Sequence, residues 1–283
     1  MTLSIAGAAF KKPSALPGFA PTLSLALVYL TAIVLLPLAA LIVKASSLGF
    51  GGLWAIATEP RVLASLETTF GVAFAAALID LVFGAIVAWT LTRYHFPGRR
   101  LADALVDLPF ALPTAVAGIS LAALYAPNGW LGAPLAALGI KVAFTRLGIL
   151  VALTFVGLPF VVRTVQPLIE ELDKELEEAS ATLGAPRWRT LASVALPPLI
   201  PGLLTGLALA FARGVGEYGS VIFIAGNIAY VSEIAPLIVV VKLEEYDYAG
   251  ATGVAAIMLA VSFLMLLTIN LLHAWSRRRL GDV

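Results

Sequence analysis

The chain has 283 residues, of which 60% are hydrophobic and only 12% charged, and its mean hydropathy is +0.99. A water-soluble domain carries about 25% charged residues, so this composition excludes a soluble globule and makes the bilayer the natural solvent. Cysteine is absent, His95 and His273 are the two histidines, and the net charge is +1; disulfide frameworks, cysteine-based zinc sites and thiol chemistry are thereby excluded.

The predicted elements follow in chain order. Lys11 and Lys12 precede the uncharged run Leu23–Val43. A signal peptide's apolar region is only about 7–15 residues, whereas a spanning helix needs about 20, so this run is read as a retained first span. A second span is predicted at Thr68–Thr92, with Asp80 its one charge, and a third at Leu108–Ala126, which contains Pro109 and Pro113. The fourth runs from Leu147 past Arg163 toward Ile169. The fifth starts near Pro198 and carries Arg213 and Glu217 in its outer half. The sixth is Ala249–Trp275. Within hydrocarbon each must be helical, because backbone N–H and C=O groups have no other partner there. The apolar stretch Ile234–Val241 is too short to cross and is expected to lie in the outer interface or dip partly inward.

With the N-terminus inside, the cytoplasmic segments hold twelve Lys and Arg residues: Lys11, Lys12, Arg93, Arg99, Arg100, Arg163, Lys174, Arg187, Arg189, Arg277, Arg278 and Arg279. The outer segments hold five, Lys44, Arg61, Lys141, Arg146 and Lys242, and Arg213 lies within a span. The excess predicts that both termini are cytoplasmic. The expected fold is a single all-α bundle of six membrane-spanning helices over residues 1–283, without repeats or a second domain.

Between the fourth and fifth spans, residues 170–189 carry nine of the chain's 35 formal charges. A turn between spans needs only a few residues, and here the pattern builds helix. Leu168, Leu172, Leu176, Ala179 and Leu183 form one apolar stripe at helical spacing. Gly184 is placed to stop that helix and Pro186 to start a second one bearing Trp188, Leu191 and Ala195, which Leu196-Pro197-Pro198 is expected to end. The result is a cytoplasmic elbow over 170–197: a solvated hairpin on the plainer reading, or a docking element whose apolar face fits a partner's groove.

Glu178-Ala179-Ser180-Ala181-Thr182-Leu183-Gly184, followed by Val194-Ala195-Leu196-Pro197, resembles the EAA motif of ABC importer permeases, with Ser180 in place of the motif's second alanine. The resemblance implies a MetI-like permease core. It also implies that Glu178, Ala179, Ser180, Gly184, Ala185, Pro186, Trp188, Leu196 and Pro197 couple the spans to a separate ATPase subunit. The stretches from Asp107 to Gly118, Ala126 to Trp130, Gly157 to Phe160, Gly216 to Gly226 and Tyr246 to Gly250 are similar to the T-type permease subunit of sulfate/thiosulfate importers. Molybdate permeases share the Gly-Glu-aromatic-Gly stretch and the six-span core, and sulfate and molybdate both stay open here. The implied partners are two ATP-binding subunits, a second homologous permease subunit, and a periplasmic binding protein that delivers the anion to the bacterial inner membrane. ATP and magnesium are expected on the ATPase subunits, because no phosphate-binding Gly-x-x-x-x-Gly-Lys-[Ser/Thr] loop occurs in this chain.

No motif for hydrolytic catalysis is present either, which disfavours a membrane enzyme. A secondary transporter normally shows two related halves, and none is visible. Asp80, Arg213 and Glu217 are the charges predicted within spans. Such groups face the bundle or a water-filled path because of their cost in lipid. Arg213 and Glu217, four apart, share a helical face. A structural clamp and a place at the gate or along the anion route both fit these three residues.

Overall fold

The computed structural model describes residues 19–280, with side chains through Leu271. Lys11 and Lys12, and the side chains of His273, Trp275, Arg277, Arg278 and Arg279, lie outside that range. The chain divides into two compact units, one ending at Ser47 and the other beginning at Leu48.

The first unit contributes α1, Phe19–Ser46, long and apolar enough to cross a membrane. Its turn Thr31–Leu35 is widened to a π-helix immediately before Leu36-Pro37, and the Leu36 N–H reaches the Thr31 carbonyl. Proline has no N–H and its ring crowds the carbonyl four residues back. One extra residue in the preceding turn relieves that crowding without breaking the helix.

In the second unit, α2 (Gly49–Ala57) and α3 (Pro60–Arg93) lead to α4 (Arg99–Val106), α5 (Leu108–Ala111) and α6 (Thr114–Tyr125). Then come α7 (Gly132–Ala137), α8 (Arg146–Glu171) and α9 (Lys174–Thr182). α10 (Arg187–Val215), α11 (Val221–Ile224), α12 (Ala235–Glu244) and α13 (Tyr248–Leu280) complete the order. Five helices among the described residues are long and apolar enough to span: α1, α3, α8, α10 and α13.

The third predicted span departs from expectation. It is a broken element in which Asp107 separates α4 from α5 and Leu112-Pro113 separates α5 from α6. Pro113 forces Leu112 out of the helical region (ψ 134°) and itself leads into α6. Only the 12-residue α6 remains as continuous helix on that side of the break.

The core is α3, α8 and α10 packed on one another. Phe211 of α10 is fully buried against the rings of Phe70 and Phe74, 6.4 and 6.2 Å away centre to centre. Hydrophobic burial gives little drive between helices in lipid, so close backbone approach and dispersion take over. Small residues supply it: Ala73, Ala76, Ala77 and Ala88 of α3 are all buried, and Gly84 and Gly206 flank Val161 of α8.

The apolar stretch after residue 233 packs into the bundle. α12 buries Ala235, Leu237 and Ile238 and packs on α13 and α3. Its start is pinned to α3 by the Ala235 N–H donating to Thr69 Oγ1 at 2.8 Å. A two-pronged Arg61–Glu233 pair at 2.7 and 2.9 Å adds to this.

Candidate functional site

The elbow is built by local chain chemistry. α8 ends at Glu171, and Leu172 (ψ 120°) and Asp173 (ψ 120°) are extended. The stripe expected from Leu168 to Leu183 therefore does not lie on one helix. Asp173 restarts the helix by accepting from the Glu175 N–H at 3.0 Å, which serves an otherwise orphaned donor. α9 then closes with Gly184 at φ +78°. The Ala185 N–H donates to Ser180 O (3.1 Å) and the Gly184 N–H to Ala181 O (3.0 Å), the Schellman pattern. Pro186 (ψ 152°) redirects the chain into α10, and the Ser180 and Thr190 hydroxyls, 2.9 Å apart, tie the two arms together.

The second arm does not stop at Leu196-Pro197-Pro198. It passes through a second π-turn, Leu191–Ala195, in which the Leu196 N–H reaches Leu191 O, and runs on as α10 through Val215. The device is the one seen in α1 ahead of Pro37. Elbow and fifth span are thus one helix that begins at Arg187 rather than near Pro198.

Of the expected coupling residues, Ala179, Ser180, Gly184 and Ala185 line one groove of about 460 Å³ together with Leu176, Leu183, Arg189 and Val194. Leu183 and Trp188 stand 88% and 71% exposed, large apolar side chains without cover in this chain. Glu178 is exposed on the same elbow. Leu196 and Pro197 are not part of that groove; they sit along α10, and Leu196 lines a different cavity.

The three charges predicted in the spans do not converge. Arg213 Nη1 pairs with Glu217 Oε2 at 2.5 Å. Glu217, just past the end of α10, is 2% exposed and also accepts from the Ser220 N–H (2.8 Å) and Oγ (2.9 Å). This holds the turn 216–220 in shape, and the turn lies directly on α6. A Cβ at Gly118 would fall 2.3 Å from Ser220 O, and one at Gly219 would fall 2.2 Å from Thr114 Oγ1. Asp80 stands apart, 1% exposed, and neither of its carboxylate oxygens has a hydrogen-bond partner.

Asp80 Oδ2 instead fills the space beside Gly157, where a Cβ would meet it at 2.1 Å. Gly157→Ala is expected to overpack the α3–α8 contact at a cost of about 1–3 kcal/mol and to lower the yield of assembled protein. Asp80→Ala in the same chain removes the colliding oxygen, so the double variant should recover yield and thermal midpoint in detergent. A double variant as poor as Gly157→Ala alone would refute the contact.

Two basic residues that the sequence reading counted only for orientation prove to be structural ties. Arg93, at the end of α3, donates to Leu172 O (3.0 Å) and Glu177 Oε1 (2.7 Å), and its guanidinium lies 5.5 Å from the Trp89 ring centre. Arg163 of α8 forks onto Asp107 (2.8 and 2.6 Å) and reaches Asp103 and Gln166 at 2.7 Å each. It thereby locks α4 to α8. The signal that was available for these ties was a cation within or at the end of a long apolar helix, with acidic residues clustered in the segments that flank the spans.

A bundle of spanning helices with a capped helix–Gly–helix elbow is the architecture of binding-protein-dependent permeases. The family described as binding-protein-dependent transport system inner membrane component matches residues 80–282, and this chain belongs to it. The sulfate transport system permease protein CysT of Synechocystis is 52% identical over 256 residues, 90% of each chain. That of Escherichia coli is 50% identical over 264 residues, 93% of this chain and 95% of the relative. Among solved structures, a bacterial ABC transporter involved in the import of the acidic polysaccharide alginate superposes with TM-score 0.75. It covers 92% of this chain and 94% of its own at 15% identity, a likeness of fold alone.

Proposed function

We propose that this chain is the multi-pass permease subunit of an ATP-driven importer for sulfate, and for thiosulfate with it, in the bacterial inner membrane with both termini cytoplasmic. The observation that carries the reading is the 50–52% identity, across nine-tenths of the chain, to permeases named for sulfate transport. The chain acts without catalytic groups of its own. Two ATP-binding partner chains hold ATP and magnesium and hydrolyse it, a related second permease completes the path, and a periplasmic binding protein delivers the anion.

The geometry supports a mechanical role for the elbow. Its apolar face, Leu176, Leu183 and Trp188, suits a groove on the ATPase partner. Its second arm is continuous with α10, 29 residues long, or roughly 43 Å at 1.5 Å per residue. Displacement at Trp188 is therefore delivered through one rigid element to Arg213 and to the turn resting on α6. Asp80, Arg213 and Glu217 serve the gate or lining of the path in this reading, with Arg213 and Glu217 acting as a pair.

The test is uptake of labelled sulfate, thiosulfate and molybdate by cells lacking the gene, with and without a plasmid copy. Sulfate uptake should be restored by the copy. Restoration of molybdate uptake alone would overturn the substrate assignment, and purified complexes holding two copies of this permease without a second type would overturn the heteromeric assembly.

A further inference from the structure

Where the elbow meets the ends of α3 and α10, two cavities that share Trp89, Tyr94 and Leu191 form a two-part cleft. One part, about 390 Å³, is mostly apolar, with Ile86 of α3, Ile169 of α8 and Leu199 and Leu203 of α10 among its walls. Trp89, Tyr94 and Leu191 form the seam with the other part, about 360 Å³, which is also lined by Glu177, Arg187 and Thr190. The charge at this mouth is unbalanced. Glu177 is neutralised by Arg93 at 2.7 Å, whereas Arg187 is exposed and no ion pair involves it among the described residues.

We infer that this cleft is a binding site for one anionic phospholipid, whose acyl chain fills the α3–α10 compartment while its phosphate pairs with Arg187 at the start of the elbow's second arm. An acyl chain requires no hydrogen-bond partner, which suits the apolar floor. Trp and Tyr side chains favour headgroup depth, which suits Trp89 and Tyr94 at the seam. An anionic leaflet surface attracts an uncompensated guanidinium lying close to it, and the guanidinium fork matches a phosphate. The headgroup would sit between α3 and the first arm of the elbow, beside the Arg93–Glu177 tie, and would brace the joint through which α10 is moved. The inference rests on the orientation and transport role proposed above.

The experiment uses the whole complex, with its ATPase chains, in nanodiscs of phosphatidylcholine alone or with phosphatidylglycerol added. Phosphatidylglycerol retained by the complex is counted by native mass spectrometry, and ATPase activity stimulated by the binding protein is measured alongside. Arg187→Gln should retain phosphatidylglycerol about fivefold less well and lose stimulation only in the discs that contain it. Arg187→Lys should keep most of both, and Leu203→Trp, which fills the floor while leaving the guanidinium intact, should lose retention. Equal retention by Arg187→Gln and the parent complex overturns the site. So does an equal fall of activity in both lipid compositions, which would make Arg187 a contact of the ATPase chain. Cross-linking of a Leu203→Cys complex to the second permease would show a protein in the cleft instead of a lipid. Retention does not depend on the cargo, so a complex that fails to import sulfate yet loses phosphatidylglycerol with Arg187→Gln removes the transport reading and leaves the lipid site standing.

Discussion

Gly184→Val should abolish transport and binding-protein-stimulated ATP hydrolysis while leaving membrane insertion intact. Gly184 sits at φ +78°, a region that costs a β-branched residue dearly and glycine almost nothing. A Cβ there meets nothing within 4 Å, so the penalty is purely backbone strain and does not arise from collision. The chain escapes that strain by abandoning the left-handed turn, which breaks the Ala185–Ser180 and Gly184–Ala181 hydrogen bonds and re-aims α9 relative to α10. The elbow lies outside the packed α3–α8–α10 core, so the spans should still assemble. Gly184→Asn, tolerant of positive φ, should keep much of the activity, and this separates conformation from loss of a small surface. The measurement is ATPase rate and labelled-sulfate uptake at matched membrane levels. Wild-type rates in Gly184→Val would remove the coupling role of the elbow.

Arg213→Ala should be the most damaging single change near the C-terminal end of α10, and worse than neutralising its partner. Glu217 is 2% exposed against 32% for Arg213. Removing the arginine strands a buried carboxylate with only the Ser220 donors, and stranding a buried charge typically costs about 3–5 kcal/mol. The Ser220 bonds place the expected loss at the lower end of that range. Glu217→Gln keeps an acceptor for Ser220 and frees a guanidinium that already reaches the surface, so it should cost less. The double variant Arg213→Ala with Glu217→Gln should recover assembly relative to Arg213→Ala alone. Complex yield and transport in the two single variants and the double variant decide the matter. If Arg213→Ala assembles normally but loses anion flux, and Glu217→Gln does not rescue it, Arg213 belongs to the anion route and not to a clamp.

Much of the coupling elbow was legible in the residues. The Gly184 stop, the Pro186 restart and the exposed Trp188 follow from φ preferences and proline geometry, which act over a few residues regardless of what surrounds them. The Arg213–Glu217 pair likewise follows from four-residue spacing on one helix. The long spans α1, α3, α8, α10 and α13 announce themselves by length and apolarity, because lipid leaves the backbone no alternative to helix.

Other features depended on what each segment packs against. Proline had different outcomes at two sites: Pro113 breaks the third predicted span at Leu112, whereas Pro197 and Pro198 sit within a helix that a π-turn carries past them. The neighbours differ too, since the Leu196–Val215 part of α10 is held by α3 and α8, while α5 is four residues long and joined to α4 through Asp107. Arg93 and Arg163 counted in the sequence only as orientation charges, and folding brings them to Glu177, Asp103 and Asp107, 56 to 84 residues distant. Asp80 was grouped by its charge with Arg213 and Glu217. Packing of α3 on α8 set it against Gly157 instead. Local backbone preference therefore specified the elbow's bend and the spans' existence. Only the tertiary structure shows that the elbow's second arm and the fifth span are one helix: the π-turn Leu191–Ala195 relieves the crowding ahead of Pro197 and Pro198, and from Ala195 onward the helix is buried against α3 and α8.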